Sequence, residues 1–188
     1  MTNTRKTTRI LCEGAISIAL AYALSFLELD LWFQGGSIGA TMIPLILFAV
    51  RWGAGWGLMV GLVFGSLKYF LGLSSWALDW VSIVFDYSVA YAMVGLSGLF
   101  KGKVKLISLA AATGSLARFL IHYVSGFTVY AKWMPEEFMG LPMTSPFIYS
   151  ALYNGGYILP CAILAIVVCV LLVTVRPIRN WLEGNNLK

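Results

Sequence analysis

The sequence predicts an all-α integral membrane protein, a compact bundle of about six transmembrane helices in a single domain, residues 1–188, with both termini cytoplasmic. Composition is the first observation behind this fold class, because 60% of the 188 residues are hydrophobic and only 11% are charged. Ordinary soluble domains carry roughly 25% charged residues. The mean hydropathy is +0.84. A series of long apolar segments and the placement of lysine and arginine are the other two observations.

Six apolar segments correspond to the predicted helices, namely residues 10–27, 38–50, 56–73, 80–100, 106–129 and 147–175. Most are long enough to cross a hydrocarbon core, which takes about 20 helical residues. The second is the exception, because its 13 residues rise only about 20 Å as a helix, so it has to tilt or extend into its flanking loop. The first resembles a signal peptide, but Glu13 and the many segments that follow favour a retained helix.

Lysine and arginine concentrate in alternate loops, at Arg5, Lys6, Arg9, Arg51, Lys101, Lys103, Lys105, Arg176, Arg179 and Lys188. The other loops carry Glu28 and Asp30, then Asp79, then Lys132 with Glu136 and Glu137. Because basic loops stay in the cytoplasm, this pattern places both termini there. Topology thus accounts for the net charge of +5, which does not indicate nucleic acid as a partner.

The sequence lacks the residue patterns that metal binding, nucleotide binding and catalysis usually require. Cys12, Cys161 and Cys169 are scattered in apolar surroundings, and the chain has one histidine, so zinc-site spacing is missing. No GxxxxGK[ST] phosphate-binding loop occurs, and no ordering of a nucleophile with its base suggests catalysis. We therefore predict no metal, no cofactor, no ATP hydrolysis by that machinery and no enzyme activity.

Two stripes of small residues repeat every four positions, Ala15, Ala19 and Ala23 on the first helix and Gly53, Gly57, Gly61 and Gly65 on the third. Such stripes let helices approach closely where lipid supplies no hydrophobic drive. The glycine stripe is expected to pack inside the bundle. The alanine stripe suits either internal packing or a helix of a partner protein.

Four polar residues interrupt three apolar segments at a similar distance from their outer ends, Asp86, Arg118, His122 and Asn154. Polar groups at membrane depth are costly, so each needs a partner or a function. Arg118 and His122 are four residues apart, and Gly126 and Tyr130 continue the same helical face. One interpretation is an Asp86–Arg118 ion pair, with the other two groups bonding across helices; the alternative is a binding site.

Aromatic residues accompany these polar groups, namely Trp32, Trp76, Tyr130, Trp133 and a stripe of Tyr149, Tyr153 and Tyr157 on the last helix. An interfacial aromatic belt explains some of them, but not those that share helices and depth with buried charge. Aromatic faces with one carboxylate suit a flat, partly cationic heterocycle, and the remaining polar groups can orient it. The residues alone therefore predict a site for a small aromatic solute captured from outside.

Five stretches carry a resemblance over nearly the whole chain: "QGGSI", "MIPLILFAVRWG", "LDW…FDYSVAY", "ARFLIHYVSG" and "YSALYNGGYILP". In these the chain resembles the thiamine-specific substrate-binding subunits, or S-components, of energy-coupling factor transporters, which import vitamins into bacteria. The last two stretches together are specific to the thiamine branch. Length, helix number and cytoplasmic termini are also similar to that fold.

The resemblance implies a thiamine site near the outer face, with thiamine as the transported ligand rather than a cofactor. Matching family positions are Asp86, Tyr87, Arg118, His122, Gly126, Tyr149 and Asn154, and Trp32 and Trp76 are placed by loop alignment. Tyr130 stands where some relatives carry a tryptophan that stacks on the ligand, and Trp133, three residues later, is the alternative residue for this stacking. The loop "AKWMPEEFMGLPMTSP" is long and acidic compared with the family pattern.

The resemblance also implies partners and a location. In the family an alanine stripe on the first helix docks onto a transmembrane coupling subunit, which works with two ATPases, and the assembly lies in the bacterial cell membrane. The implied function is capture of thiamine and its passage inward with that energising module. Two alternatives stay open, an S-component for another vitamin such as riboflavin or biotin, and a membrane enzyme acting on a lipid or prenyl chain.

Overall fold

The computed structural model describes residues 3–31, 36–71 and 80–184, which are mostly helical. The helices are α1 (Asn3–Ser25), α2 (Met42–Trp52), α3 (Ala54–Phe70), α4 (Trp80–Phe100), α5 (Val104–Thr128), α6 (Pro146–Thr174) and α7 (Arg176–Leu182). Two short antiparallel hairpins pair β1 (Leu29–Asp30) with β2 (Ser37–Ile38) and β3 (Glu137–Phe138) with β4 (Leu141–Pro142). Both hairpins lie at one end of the bundle, hereafter the hairpin end.

Four of the described helices, α1, α4, α5 and α6, are long and apolar enough to cross a membrane. The predicted segments at residues 80–100, 106–129 and 147–175 match α4, α5 and α6 to within two residues at each end. The second predicted segment is wrong at its start, because Ile38 belongs to strand β2 and α2 begins only at Met42. The backbone of Ile38 pairs with Leu29 of β1 instead of forming a helical turn.

The glycine stripe packs inside the bundle, as predicted, where α3 crosses α4. A Cβ atom added at Gly61 would overlap the carbonyl of Tyr91, and one at Gly65 would overlap that of Tyr87. Gly53 is different, because it separates α2 from α3 with φ of 100°, a conformation that favours glycine. The close approach of α3 and α4 brings the side chains of these two helices into one cluster near the hairpin end.

The alanine stripe faces outward. Ala15, Ala19 and Ala23 are all exposed on α1, so internal packing, one of the two interpretations of this stripe, is wrong. Helix α1 contacts the core through its opposite face, where Ala21 is fully buried and Gly14 lies against Phe48 and Val60. The stripe therefore belongs to the surface that the bundle presents to its surroundings.

Arg51 does not lie in a loop between the second and third helices, as the sequence pattern suggested, but on α2 with 3% of its surface exposed. Its guanidinium binds Glu13 of α1, with Nε 2.6 Å from Oε2, and donates to the backbone carbonyl of Trp181 in α7. Trp52 Nε1 donates to the same carboxylate at 2.8 Å. This cluster ties α1, α2 and α7 together at the end opposite the hairpins, because a buried guanidinium needs a carboxylate and acceptors.

Candidate ligand-binding site

A cavity opens at the hairpin end, between α3, α4, α5, α6 and the loop that follows α5. Its empty space is about 890 Å³, including the open mouth. The predicted site residues Asp86, Tyr87, Arg118, His122, Gly126, Tyr130, Tyr149 and Asn154 all line it, whereas Trp32 and Trp76 lie outside the described residues.

Asp86 lies on an unusual stretch of α4, since residues Ile83–Val89 form a π-helix. Such widened turns are often found at functional sites. One carboxylate oxygen is 3.2 Å from His122 Nδ1, and the other accepts a hydrogen bond from Ser125 at 3.0 Å. Both partners are on α5. The Asp86–Arg118 ion pair considered from the sequence is not formed among the described residues, and the carboxylate instead bonds to His122 and Ser125.

His122 lines the cavity and uses one of its two ring nitrogens to contact Asp86. An ionised carboxylate can only accept hydrogen bonds, so the Nδ1 that faces Asp86 carries the hydrogen. The other nitrogen, Nε2, is buried and has no hydrogen-bond partner in the described part of the chain. In the neutral ring this nitrogen is an acceptor. A buried polar atom of this kind normally has a partner, which a bound ligand would supply.

Arg118 points at the phenol of Tyr91 rather than at a carboxylate. Its guanidinium carbon is 4.4 Å from the centre of that ring, and Nη2 donates to the hydroxyl at 3.2 Å. Its Nε is buried and unpartnered within the described ranges. Lys68 donates to the same hydroxyl at 3.1 Å, and both basic groups line the cavity. Sequence reasoning missed Lys68, although a lysine inside an apolar segment was a usable signal.

Asn154 links two helices. Its Nδ2 donates to the carbonyl of His122 at 3.2 Å and to that of Ser150 at 3.0 Å, and its Oδ1 accepts from Tyr157 at 2.9 Å. Gly126 makes this contact possible, because a Cβ atom there would lie 3.0 Å from Nδ2. The interpretation in which Asn154 bonds across helices is therefore confirmed. Its amide also faces the cavity, but most of its hydrogen-bonding capacity is already used.

Tyrosines form one wall of the cavity. Tyr149, Tyr153 and Tyr157 all line it, and neighbouring rings of the stripe are 5.6 and 6.1 Å apart. Phe138 of β3 packs edge-on against Tyr149, with ring centres 5.4 Å apart, and lies 5.8 Å from Tyr153. The loop that departs from the family pattern thus folds into a hairpin against this wall. No pattern in the sequence indicated the contact of Phe138 with these tyrosines.

Tyr130 and Trp133 both line the cavity, with ring centres 6.0 Å apart. Tyr130 lies beside Asp86 and Ser82, and burial, with a smaller effect of the Asp86 charge, raises the pKa of its hydroxyl. Its phenol therefore stays neutral and able to donate. Trp133 is 38% exposed, and Lys132 Nζ is 4.0 Å from the centre of its ring. Tyr130 thus lies next to the carboxylate, whereas Trp133 is the more accessible of the two rings.

Comparison with known proteins gives consistent results. The model of the family described as thiamine transporter protein (Thia_YuaJ) matches residues 11–180. Thiamine transporter ThiT of Bacillus subtilis is 35% identical over 183 residues, covering 87% of this chain and 90% of that protein. ThiT of Lacticaseibacillus paracasei is 29% identical, covering 89% and 88%. A solved structure of ThiT from Listeria monocytogenes has a similar fold, with a TM-score of 0.81, 24% identity and coverage of 93% of this chain and 98% of that chain.

Proposed function

This chain belongs to the thiamine transporter protein family, and we propose that it is the thiamine-binding S-component of a bacterial energy-coupling factor importer. Family membership indicates a multi-pass membrane protein with a role in transport rather than in catalysis. The finer proposal is that the chain captures thiamine at the outer face of the cell membrane. It uses no cofactor, and its partners supply the energy.

The observation that carries this proposal is the composition of the cavity. A carboxylate, an imidazole with one unpartnered nitrogen and a wall of aromatic rings line one space at the hairpin end. Thiamine combines a cationic thiazolium ring with a neutral aminopyrimidine, so one ring needs a negative or π-electron environment and the other needs hydrogen-bond partners. Aromatic faces and a carboxylate attract the cation.

We place the thiazolium near Asp86 and the aromatic rings around it. Tyr130 reaches the same carboxylate, and Tyr87 and Trp133 line the cavity nearby, so flat contacts are available on more than one side. Arg118 and His122 line the same cavity, and among the described residues Arg118 Nε and His122 Nε2 are buried and have no hydrogen-bond partner. One is a donor and the other an acceptor, which is the combination that an aminopyrimidine edge requires.

We propose that the hairpin end faces outward. The basic loop with Lys101, Lys103 and Lys105 lies beside Gly53, whose Cβ would touch Lys101, at the end where α1 begins. The acidic residues Glu136 and Glu137 lie in the second hairpin, at the opposite end. Basic groups therefore gather at the end that holds both termini, in accordance with a cytoplasmic location.

The exposed alanine stripe of α1 is proposed as the docking surface for the transmembrane coupling subunit, which works with two ATPase subunits. Ala15, Ala19 and Ala23 are exposed, flanked by the exposed side chains of Ile16 and Leu20. Small residues between larger ones form a groove into which a partner helix fits closely. The proposal accounts for energy input to a chain that has no nucleotide-binding loop.

Calorimetric titration of the purified chain, without partner subunits, tests the proposed function. Thiamine should bind at one site per chain, whereas riboflavin and biotin, examined under the same conditions, should release no saturable heat. Preference for either of those vitamins would favour an S-component of different specificity and overturn the assignment of thiamine.

A further inference from the structure

Glu28 has no place in the proposed contacts with the ligand, yet it is strongly bound. It follows α1 at the base of the first hairpin and does not line the cavity. One carboxylate oxygen accepts from Lys68 Nζ at 2.6 Å and from the Ser37 hydroxyl at 2.7 Å. The other accepts from the hydroxyl of Thr41. Three donors, from α3, β2 and the residue before α2, therefore fix one carboxylate whose side chain is only 11% exposed.

The surroundings of Glu28 are built to hold it in this position. A Cβ atom at Gly39 would overlap the Glu28 side chain, so glycine leaves room for it. Cys161 of α6 contacts strand β2 and the residue after it, since its sulfur lies 3.4 Å from both the Ser37 carbonyl oxygen and the Gly39 nitrogen. Burial alone would raise the pKa of Glu28, but the charge of Lys68 and the two hydroxyl donors outweigh it and lower the pKa. The carboxylate is therefore ionised at neutral pH.

Charge balance shows what this carboxylate does for the cavity. Lys68 and Arg118 carry two positive charges in the cavity wall, and both are bonded to the hydroxyl of Tyr91. Asp86 is the acidic residue among the described side chains that line the cavity. Without Glu28 the site would have an excess positive charge, which repels a cation. When Glu28 is included, the two positive charges are balanced by the two carboxylates, Asp86 and Glu28, and the net formal charge of the four side chains is zero.

We propose that Glu28 is a specificity-determining residue: by neutralising Lys68 from behind the cavity wall, it allows the site to accept a cationic ring rather than only a neutral one. This inference rests on the proposed function, because the ligand must carry the permanent charge of thiazolium. Glu28 acts at a distance through its charge and does not touch the ligand. Its effect is electrostatic, so it depends on the charge of the ligand and not on its shape.

Glu28→Gln tests the inference with two ligands of the same shape. One is thiamine, and the other is its neutral isostere, in which a thiophene ring replaces thiazolium. Loss of one negative charge behind the cavity wall should weaken thiamine binding roughly ten- to thirtyfold, which is the effect of a unit charge about 8 to 12 Å away at an effective dielectric constant of about 20. Binding of the neutral isostere should change by less than about threefold. The measured quantity is the ratio of the two dissociation constants, which is independent of the folded fraction.

Lys68→Met provides the matched control. Adding it to Glu28→Gln removes the uncompensated positive charge, so the double variant should regain the ratio of the parent. If Glu28→Gln alone does not fold, the comparison is made between Lys68→Met and the double variant. Addition of Glu28→Gln to Lys68→Met should then shift the ratio against thiamine by the same factor.

The outcomes separate this inference from the function on which it rests. A parent that binds neither ligand contradicts the proposed function itself. A parent that binds thiamine, with a Glu28→Gln variant that weakens both ligands equally, shows that Glu28 only supports the fold, and the inference is overturned. A ratio unchanged by Glu28→Gln in either background also overturns it.

Discussion

Replacing Asp86 with asparagine removes one negative charge from the cavity while nearly preserving the shape of the side chain. In the parent, the carboxylate oxygens accept from His122 Nδ1 and the Ser125 hydroxyl, at 3.2 and 3.0 Å. An amide offers one oxygen acceptor and one NH₂ donor: the oxygen can accept from His122 Nδ1, and the Ser125 hydroxyl can turn to accept from the NH₂ group. The substitution therefore removes the proposed attraction for thiazolium and converts two charge-assisted internal hydrogen bonds into neutral ones.

The magnitude of each effect follows from these contacts. Loss of a charge-assisted interaction with the ligand should cost about 1 to 3 kcal/mol of binding free energy. This corresponds to a dissociation constant that is roughly 5 to 150 times higher. The exchange of charge-assisted internal hydrogen bonds for neutral ones should lower the free energy of unfolding by about 1 kcal/mol. Arg118 is not left unpaired, because it bonds to Tyr91 in the parent.

Calorimetric titration with thiamine, with a melting curve for each variant in detergent, measures both quantities. Ser125→Ala is the matched control, since it removes one internal hydrogen bond and leaves the charge in place. It should resemble Asp86→Asn in thermal stability but bind thiamine more tightly. An Asp86→Asn variant that binds thiamine as well as the parent does would refute this reasoning, even if the variant is less stable.

Three further predictions concern topology, coupling and the contact between helices. With native cysteines replaced, a cysteine at Glu136 should react with an impermeant thiol reagent in intact cells and one at Lys103 should not; the reverse labelling would invert the proposed orientation. Ala19→Leu should abolish uptake by the full complex while binding to the isolated chain persists, and equal loss of both would contradict docking through α1. Asn154→Ala should lower the melting temperature as well as affinity, because it breaks the bond to the His122 carbonyl between α5 and α6 and a second bond, to Tyr157, within α6; unchanged stability would contradict this role.

Much of the fold could be predicted from the sequence because apolar length directly reflects the thickness of a bilayer. The predictions for α4, α5 and α6 depended only on that length. The start of α2 could not be found in the same way, since Ile38 is apolar in a strand as well as in a helix. The π-helical turn around Asp86 also had no signal, because it changes the hydrogen-bonding register without a change in composition.

The candidate site was partly predictable for a similar reason. Depth along a helix can be counted in residues, so the sequence placed Asp86 and His122 at one level, and the structure brings them into contact. The rotation of each helix about its own axis, which decides which side chains meet, cannot be obtained by counting residues. Packing against Gly61 and Gly65 fixes how α4 lies on α3, and Asp86 bonds to His122 instead of Arg118. The contacts of Lys68 depend on this tertiary packing as well.

Polar residues near loops were the hardest to interpret. Glu28 and Arg51 were counted only as charges in opposite loops, yet both are held by hydrogen bonds within the bundle. Positive-inside reasoning uses the sign and position of a charge and ignores its partner. A buried partner is a property of the folded chain, so sequence separation alone, 40 residues between Glu28 and Lys68, gives no indication of it.

The most direct test of thiamine capture is the mass spectrum of the small molecules that copurify with this chain from cells grown with a mixture of vitamins. The chain should be expressed without its partner subunits, so that any bound molecule reflects its own site. Thiamine, released on denaturation in a ratio of about one per chain, is the predicted result. Riboflavin, biotin or a lipid in its place, with thiamine missing from the spectrum, would contradict the assignment.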